Sequence, residues 1–248
     1  MSKKYKGKIC AYCAISASQT GDHVFARKFL LERHRRDLPK VPACVACNQE
    51  KARLEHYAAT LLPFGGRHST SHENLRTLVP SRLERNLPMA AKLNAGRKPV
   101  FEKVNGVILP TVTVPLDWVK LQRLFDLIFR GLMLHHWKVL VESSSEVEVI
   151  VLNDEGVKQF SRYFAAPAAS KVSGDIGEGS FVYKGAQTID EPGAAIWRLE
   201  VYGGLKMGDG SSASSRFSSA IGAFVVPRSY LENADRRARW LRGEGVES

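Results

Sequence analysis

The sequence predicts an α+β fold, in which a small cysteine-bearing N-terminal module precedes a larger mixed α/β unit. Three observations predict it. All four cysteines fall in two CxxC pairs, Cys10-Ala-Tyr-Cys13 and Cys44-Val-Ala-Cys47. Helical and alternating hydrophobic periods both occur after residue 116. The excess positive charge is confined to the first hundred residues, which hold 19 Lys and Arg against 7 Asp and Glu, while the remaining residues hold 17 against 18. The implied organisation is a module over 1–65, a basic and partly helical connector over 66–115, and an α+β unit over 116–248.

The cysteines come first because they constrain most. Two CxxC knuckles can close a tetrahedral thiolate site on zinc. Scattered core cysteines would not pair in this way. A disulfide framework would need an oxidising compartment, and a redox CxxC needs only one pair. Thirty residues separate Cys13 from Cys44, more than the roughly 15–20 of a simple zinc ribbon, so the gap must hold structure of its own. After Cys47, the stretch from Asn48 to Leu62 lacks Pro and Gly and reads as a helix, with Leu54, Tyr57 or Ala58, Leu61 and Leu62 at helical spacing. Pro63 and Gly65 stop it.

In the connector, arginines and polar residues alternate with turn signals such as Asn94-Ala95-Gly96, and one or two helices are expected. Asp117 can cap a helix running to about Trp137, with Trp118, Leu121, Phe125, Ile128 and Leu132 on one face. Glu146–Leu152 alternates like a half-buried strand. A short helix over Val157–Phe164 and strands over Phe181–Tyr183, Ile196–Tyr202 and Ala223–Val226 follow. Gly203–Ser215 reads as a Gly/Ser-rich loop and Ser229–Leu241 as a terminal helix rich in Arg.

The net charge of +11 points to a polyanionic partner. No apolar run reaches the length of about 18 residues that a membrane helix needs, so no membrane association is expected. The basic start MSKKYKGKIC is followed by no apolar signal segment, and the expected compartment is the cytoplasm.

Asp22-His23-Val24 lies between the knuckles, and Asn48 and then Lys51 follow the last cysteine. The order CxxC, DHV, CxxCN over about residues 8–60 resembles the zinc-knuckle branch of the HNH endonuclease family. That resemblance implies a ββα-metal, or treble-clef, module with structural zinc on Cys10, Cys13, Cys44 and Cys47. It implies that Asp22 and Asn48 hold a catalytic Mg²⁺ or Mn²⁺ and that His23 is the general base in phosphodiester hydrolysis. The chemistry suits these residue types. A neutral imidazole can take a proton from water near pH 7, and a hard divalent ion takes oxygen ligands. Two places depart from the family pattern: Pro39 stands where the middle residue of the motif is usual, and Ala26-Arg27 replaces the usual proline region after Val24.

Arg27, Lys28, Arg33, Arg35, Arg36, Lys40 and Arg53 bracket these elements and are expected to meet the phosphates of nucleic acid, DNA before RNA. Lys51 is expected either to hold a phosphate or to be solvated. Asn48 could equally cap its helix. His56 lies about 12 Å along the helix from Asn48 and reads as a surface or interface residue. His34, His68 and His72 are expected to face solvent or nucleic acid. His135-His136-Trp137 reads as a helix end engaged in packing or in a dipole contact. Three functional readings stay open. They are a metal-dependent endonuclease, a non-catalytic zinc module that binds nucleic acid, and a regulatory protein dominated by residues 116–248. That second half matches no motif, and self-association, ligand sensing and target selection are all open to it.

Overall fold

The computed structural model describes residues 4–104, 106–165, 167–168, 170–189, 191–207 and 220–228. The first knuckle is a tight turn in which the Cys10 N–H donates to the Ser16 carbonyl (2.9 Å). Strand β1 (Thr20–His23) then pairs antiparallel with β2 (Lys40–Ala43), setting Asp22 opposite Val41 and His23 opposite Lys40. The chain between them makes 3-10 turns at Arg27–Phe29 and Glu32–His34, so the long gap between the knuckles is structured. Helix α1 (Val45–Leu61) follows directly. It begins earlier than Asn48, with Cys44 at the N-cap. Asn48 donates its backbone N–H to the Cys44 carbonyl (3.0 Å), so it lies within the helix and does not cap it.

The connector is richer than expected. It holds three helices, α2 (Ser69–Thr77), α3 (Val79–Glu84) and α4 (Leu87–Gly96), then a hairpin of β3 (Lys98–Val104) and β4 (Val107–Thr113). Helix α5 (Trp118–Trp137) starts where its cap predicts: the Lys120 N–H donates to the Asp117 carboxylate (3.3 Å). Beyond it lie β5 (Glu146–Leu152), α6 (Asp154–Ala165), β6 (Ser170–Ile176), β7 (Phe181–Gln187), β8 (Ala195–Val201) and β9 (Ala220–Val226). The last five strands form one antiparallel sheet in the order β5-β9-β8-β7-β6. Strand β6, which the hydropathy pattern did not reveal, is an edge strand; its sequence SKVSGDI carries too little apolar alternation to announce itself. The expected terminal helix at Ser229–Leu241 and most of the Gly/Ser-rich loop lie outside the described residues.

Helix α5 unites the molecule. Leu121, Leu124, Phe125, Ile128, Phe129 and Leu132 are buried in one apolar cluster that reaches Tyr12, Val24 and Phe25 on one side and Phe181, Trp197 and Leu199 of the sheet on the other. Gly131 marks the closest approach: a Cβ there would lie 3.1 Å from a Val24 methyl and 3.6 Å from the Tyr12 ring. A mid-helix glycine costs about 1 kcal/mol relative to alanine; here it lets α5 seat the chain immediately after His23. Arg123 of α5 forks onto Glu50 of α1 (2.7 and 3.1 Å), so an ion pair joins the two helices.

Candidate metal centre and the Asp22–His23 site

The ligand atoms of Cys10, Cys13, Cys44 and Cys47 all lie within 4.8 Å of one another. Among the described residues this is the set of Cys, His, Asp and Glu side chains able to hold a metal ion. Backbone N–H groups already point at the sulfurs, from Tyr12 to Cys10 Sγ (3.4 Å) and from Ser16 to Cys13 Sγ (3.5 Å), as thiolate ligands require. Burial alone would raise the Cys13 thiol, but the N–H groups of Ser16 and Ile15 more than offset it and bring the pKa down to about 6. Burial raises Cys10 and Cys47, and the neighbouring thiols push Cys47 further up. Cys10 and Cys47 thus resist ionising without a cation; a zinc ion would supply that charge and suits an all-sulfur tetrahedral set.

Beside this centre lies a buried polar network that the sequence did not reveal. The inward stripe of α1 is Cys47, Lys51, Glu55, Ala58 and then Leu62 just past its end; of the expected apolar set, Ala58, Leu61 and Leu62 are buried, and Leu54 and Tyr57 pack partly buried against the core. Because Cys47 must face the sulfurs, residues four and eight positions on share its face; that spacing was the available signal. Lys51 is only 1% exposed, so it neither holds a surface phosphate nor stands in solvent. Its ammonium donates to the His23 carbonyl (2.7 Å), lies 2.9 Å from Asp22 Oδ2 and pairs with Glu55. The Tyr12 hydroxyl donates to the same Asp22 oxygen (2.6 Å). Burial raises the Glu55 carboxyl despite the Lys51 charge. Burial also raises the Tyr12 hydroxyl, and Asp22 adds to it.

Comparison with family models, with curated proteins and with solved structures gave no match.

His23 ends β1. Its Nδ1 is buried and without a hydrogen-bond partner in the described structure. Burial, then the Lys40 charge opposite it, lowers its pKa, with Asp22 acting the other way. The imidazole is thus neutral near pH 7, the form that can accept a proton. Asn48 is half-buried in the first turn of α1, one turn before Lys51. The structure therefore joins Asp22, Lys51, Tyr12, Glu55 and the backbone carbonyl of His23 in one bonded group. Among the described residues no hydrogen bond ties the Asn48 amide to it. Pro39 accepts the Val24 N–H on its carbonyl (2.8 Å), so its backbone, not a side chain, secures the residue after His23.

The basic residues divide. Arg27, Arg36 and Arg53 are exposed. Lys28 reaches the Ala52 carbonyl (3.3 Å) and Glu55 (3.8 Å), Arg35 the Leu30 carbonyl (3.0 Å), and Arg33 pairs with Glu73 (3.0 Å). His34 is nearly enclosed and lies 3.6 Å from Glu178; His68 caps α2 by accepting the Thr70 N–H (3.2 Å). His136 shares a hydrogen bond with the Tyr183 hydroxyl (2.9 Å), which places it in packing against the sheet.

Proposed function

We propose that this chain is a metal-dependent endonuclease of the HNH type, hydrolysing phosphodiester bonds of nucleic acid, DNA before RNA. In this reading the β1–β2–α1 unit is a ββα-metal, treble-clef module. Zinc on the four cysteines is structural, and Asp22 and Asn48 would hold Mg²⁺ or Mn²⁺. That donor set is compatible with such an ion: Mg²⁺ uses one or two protein oxygens and keeps several waters, and both bonds to Asp22 fall on Oδ2. When bound, the ion would neutralise charge on the phosphate and its leaving oxygen. His23 would take the proton of the attacking water. Lys51 and Tyr12 hold Asp22 in place, and Arg27, Arg36 and Arg53 draw the phosphate backbone to the module.

The observation that carries the reading is the imidazole itself. A buried ring nitrogen with no partner, kept neutral by its surroundings and set beside a carboxylate, is costly in a purely structural role. The test is incubation of zinc-loaded protein with supercoiled plasmid, with and without Mg²⁺ or Mn²⁺. Cleavage that needs the ion and disappears in His23→Ala, at unchanged zinc content, supports it. Cleavage undiminished in His23→Ala removes His23 from the mechanism.

One observation favours a second reading, a zinc module that binds nucleic acid without cutting it: the Lys51 ammonium already balances the Asp22 charge. Duplex binding with no plasmid nicking in either metal ion would decide for it.

A further inference from the structure

The β3–β4 hairpin takes no part in the site. Seven residue pairs join its strands, from Lys98–Thr113 to Val104–Val107, and neither strand joins another sheet. A lone two-stranded ribbon is marginal in water and is stabilised by laying a face against something. At about 3.3 Å per residue, this one is about 23 Å long. Alternation and register put Pro99, Phe101, Lys103, Ile108, Pro110 and Val112 on one face, and Val107 on the other. Phe101 is 69% exposed, Ile108 66% and Val112 45%; Val107 at the tip is 57% exposed. Single exposed apolar residues are ordinary, but a row of them along one ribbon is a contact surface.

The surroundings select the occupant. Lys92, Arg97 and Lys98 are exposed where α4 runs into β3, within the strongly basic first hundred residues, so the base of the ribbon is complementary to a polyanion. A strand added edgewise from a second copy would need a continuous row of N–H groups. Pro99 in β3 and Pro110 in β4 interrupt that row on both strands. An antiparallel ribbon fits a nucleic-acid groove, apolar side chains can wedge at base steps, and basic residues beside the ribbon reach phosphates.

We propose that β3–β4 is an arm that enters a groove of double-stranded nucleic acid, with Ile108 and Val112 against the bases and Arg97 and Lys98 on flanking phosphates. The proposal rests on the nucleic-acid part of the reading above, not on catalysis. The experiment measures binding of the full, zinc-loaded chain to a labelled mixed-sequence DNA duplex by fluorescence anisotropy across a salt series, beside sedimentation and thermal melting. Ile108→Ser with Val112→Ser should weaken binding about tenfold while keeping the salt slope. Arg97→Ala with Lys98→Ala should lower the slope by about two. Both pairs should keep the wild-type melting midpoint and oligomeric state. A wild-type chain that binds duplex without nicking plasmid, with both pairs weakened, supports the arm while the nuclease reading fails. Wild-type affinity in both pairs, beside intact His23-dependent cleavage, overturns the arm and spares that reading. Conversion of a wild-type dimer to monomer by the serine pair, or no duplex binding by the wild type, also overturns it.

Discussion

The Lys51 ammonium lies 2.9 Å from the Asp22 carboxylate in a place almost closed to solvent. The same ammonium holds Glu55 and the His23 carbonyl. One cation therefore ties α1 to the end of β1 and balances two buried carboxylates. Lys51→Met should leave those carboxylates without their cation and lower the unfolding free energy by about 3–5 kcal/mol, read from urea denaturation. Adding Glu55→Gln should restore part of the loss, because one uncompensated charge is removed with it. A loss indistinguishable from that of an exposed lysine would show that the cation is not needed there.

Removing the metal should unfold the module, since apparent zinc-binding energies of about 10–16 kcal/mol are folding energies for small thiolate sites. Chelation, or Cys47→Ser, should lower the melting midpoint and expose Tyr12, which sits inside the first knuckle. Elemental analysis should find one zinc per chain. Because burial raises Cys10 and Cys47, metal loading displaces protons from them, and affinity should fall steeply as the solution is acidified. An affinity flat between neutral and mildly acidic pH would mean that these sulfurs are not the ligands.

Stability should carry a second pH signature, from His136. Burial, with His135 and Lys138 nearby, brings its pKa from 6.5 down to about 4. A histidine whose folded pKa is depressed binds its proton more readily in the unfolded chain. Its contribution is thus complete above about pH 6.5 and is lost as pH falls toward 4. The ring is partly exposed, so screening reduces the effect. His136→Gln should flatten the stability curve in that window, measured by thermal melting at a series of pH values; an unchanged curve would put the acid sensitivity elsewhere.

Nucleic-acid affinity should separate the exposed arginines from the enclosed ones. Arg27→Ala, Arg36→Ala and Arg53→Ala should each lower the slope of log affinity against log salt by about one and leave folding intact. Arg82 instead donates to the Ala59 and Lys28 carbonyls (2.6 and 2.7 Å). Arg82→Ala should destabilise the fold, because two buried carbonyls lose their donor. Equal effects on folding from Arg53→Ala and Arg82→Ala would contradict this division.

Catalysis, if His23 is the base, should persist below the usual histidine range. Burial and the Lys40 charge lower its pKa, so the imidazole stays neutral at mildly acidic pH. The acid limb of kcat/KM should therefore fall below pH 6.5, and Lys40→Gln should move that limb upward. A limb at or above the ordinary value would assign the titrating group elsewhere.

Local chemistry was legible in the sequence wherever one residue type serves one purpose. The CxxC pairs announced a sulfur cluster, the Asp117 cap placed the start of α5 to the residue, and the alternation of Glu146–Leu152 matched β5 throughout. The β3–β4 hairpin was missed because prolines and basic residues mask its alternation, and β6 because an edge strand needs few apolar residues. In α1 the apolar positions were legible, but the burial of Lys51 was not, because a lysine is enclosed only where partner charges meet it.

The sequence by itself determined that four thiols would meet, that an Asp-His pair would lie between the two knuckles, and that the positive charge would gather in the first hundred residues. Only the tertiary structure decided which charges are inside. Burying a lysine or a glutamate is unfavourable alone and tolerable together, and whether two such residues meet a third partner from a distant strand depends on how α1 and β1 are docked. Helix spacing alone does not contain that information. Here α5, packing Gly131 against Val24, helps set it.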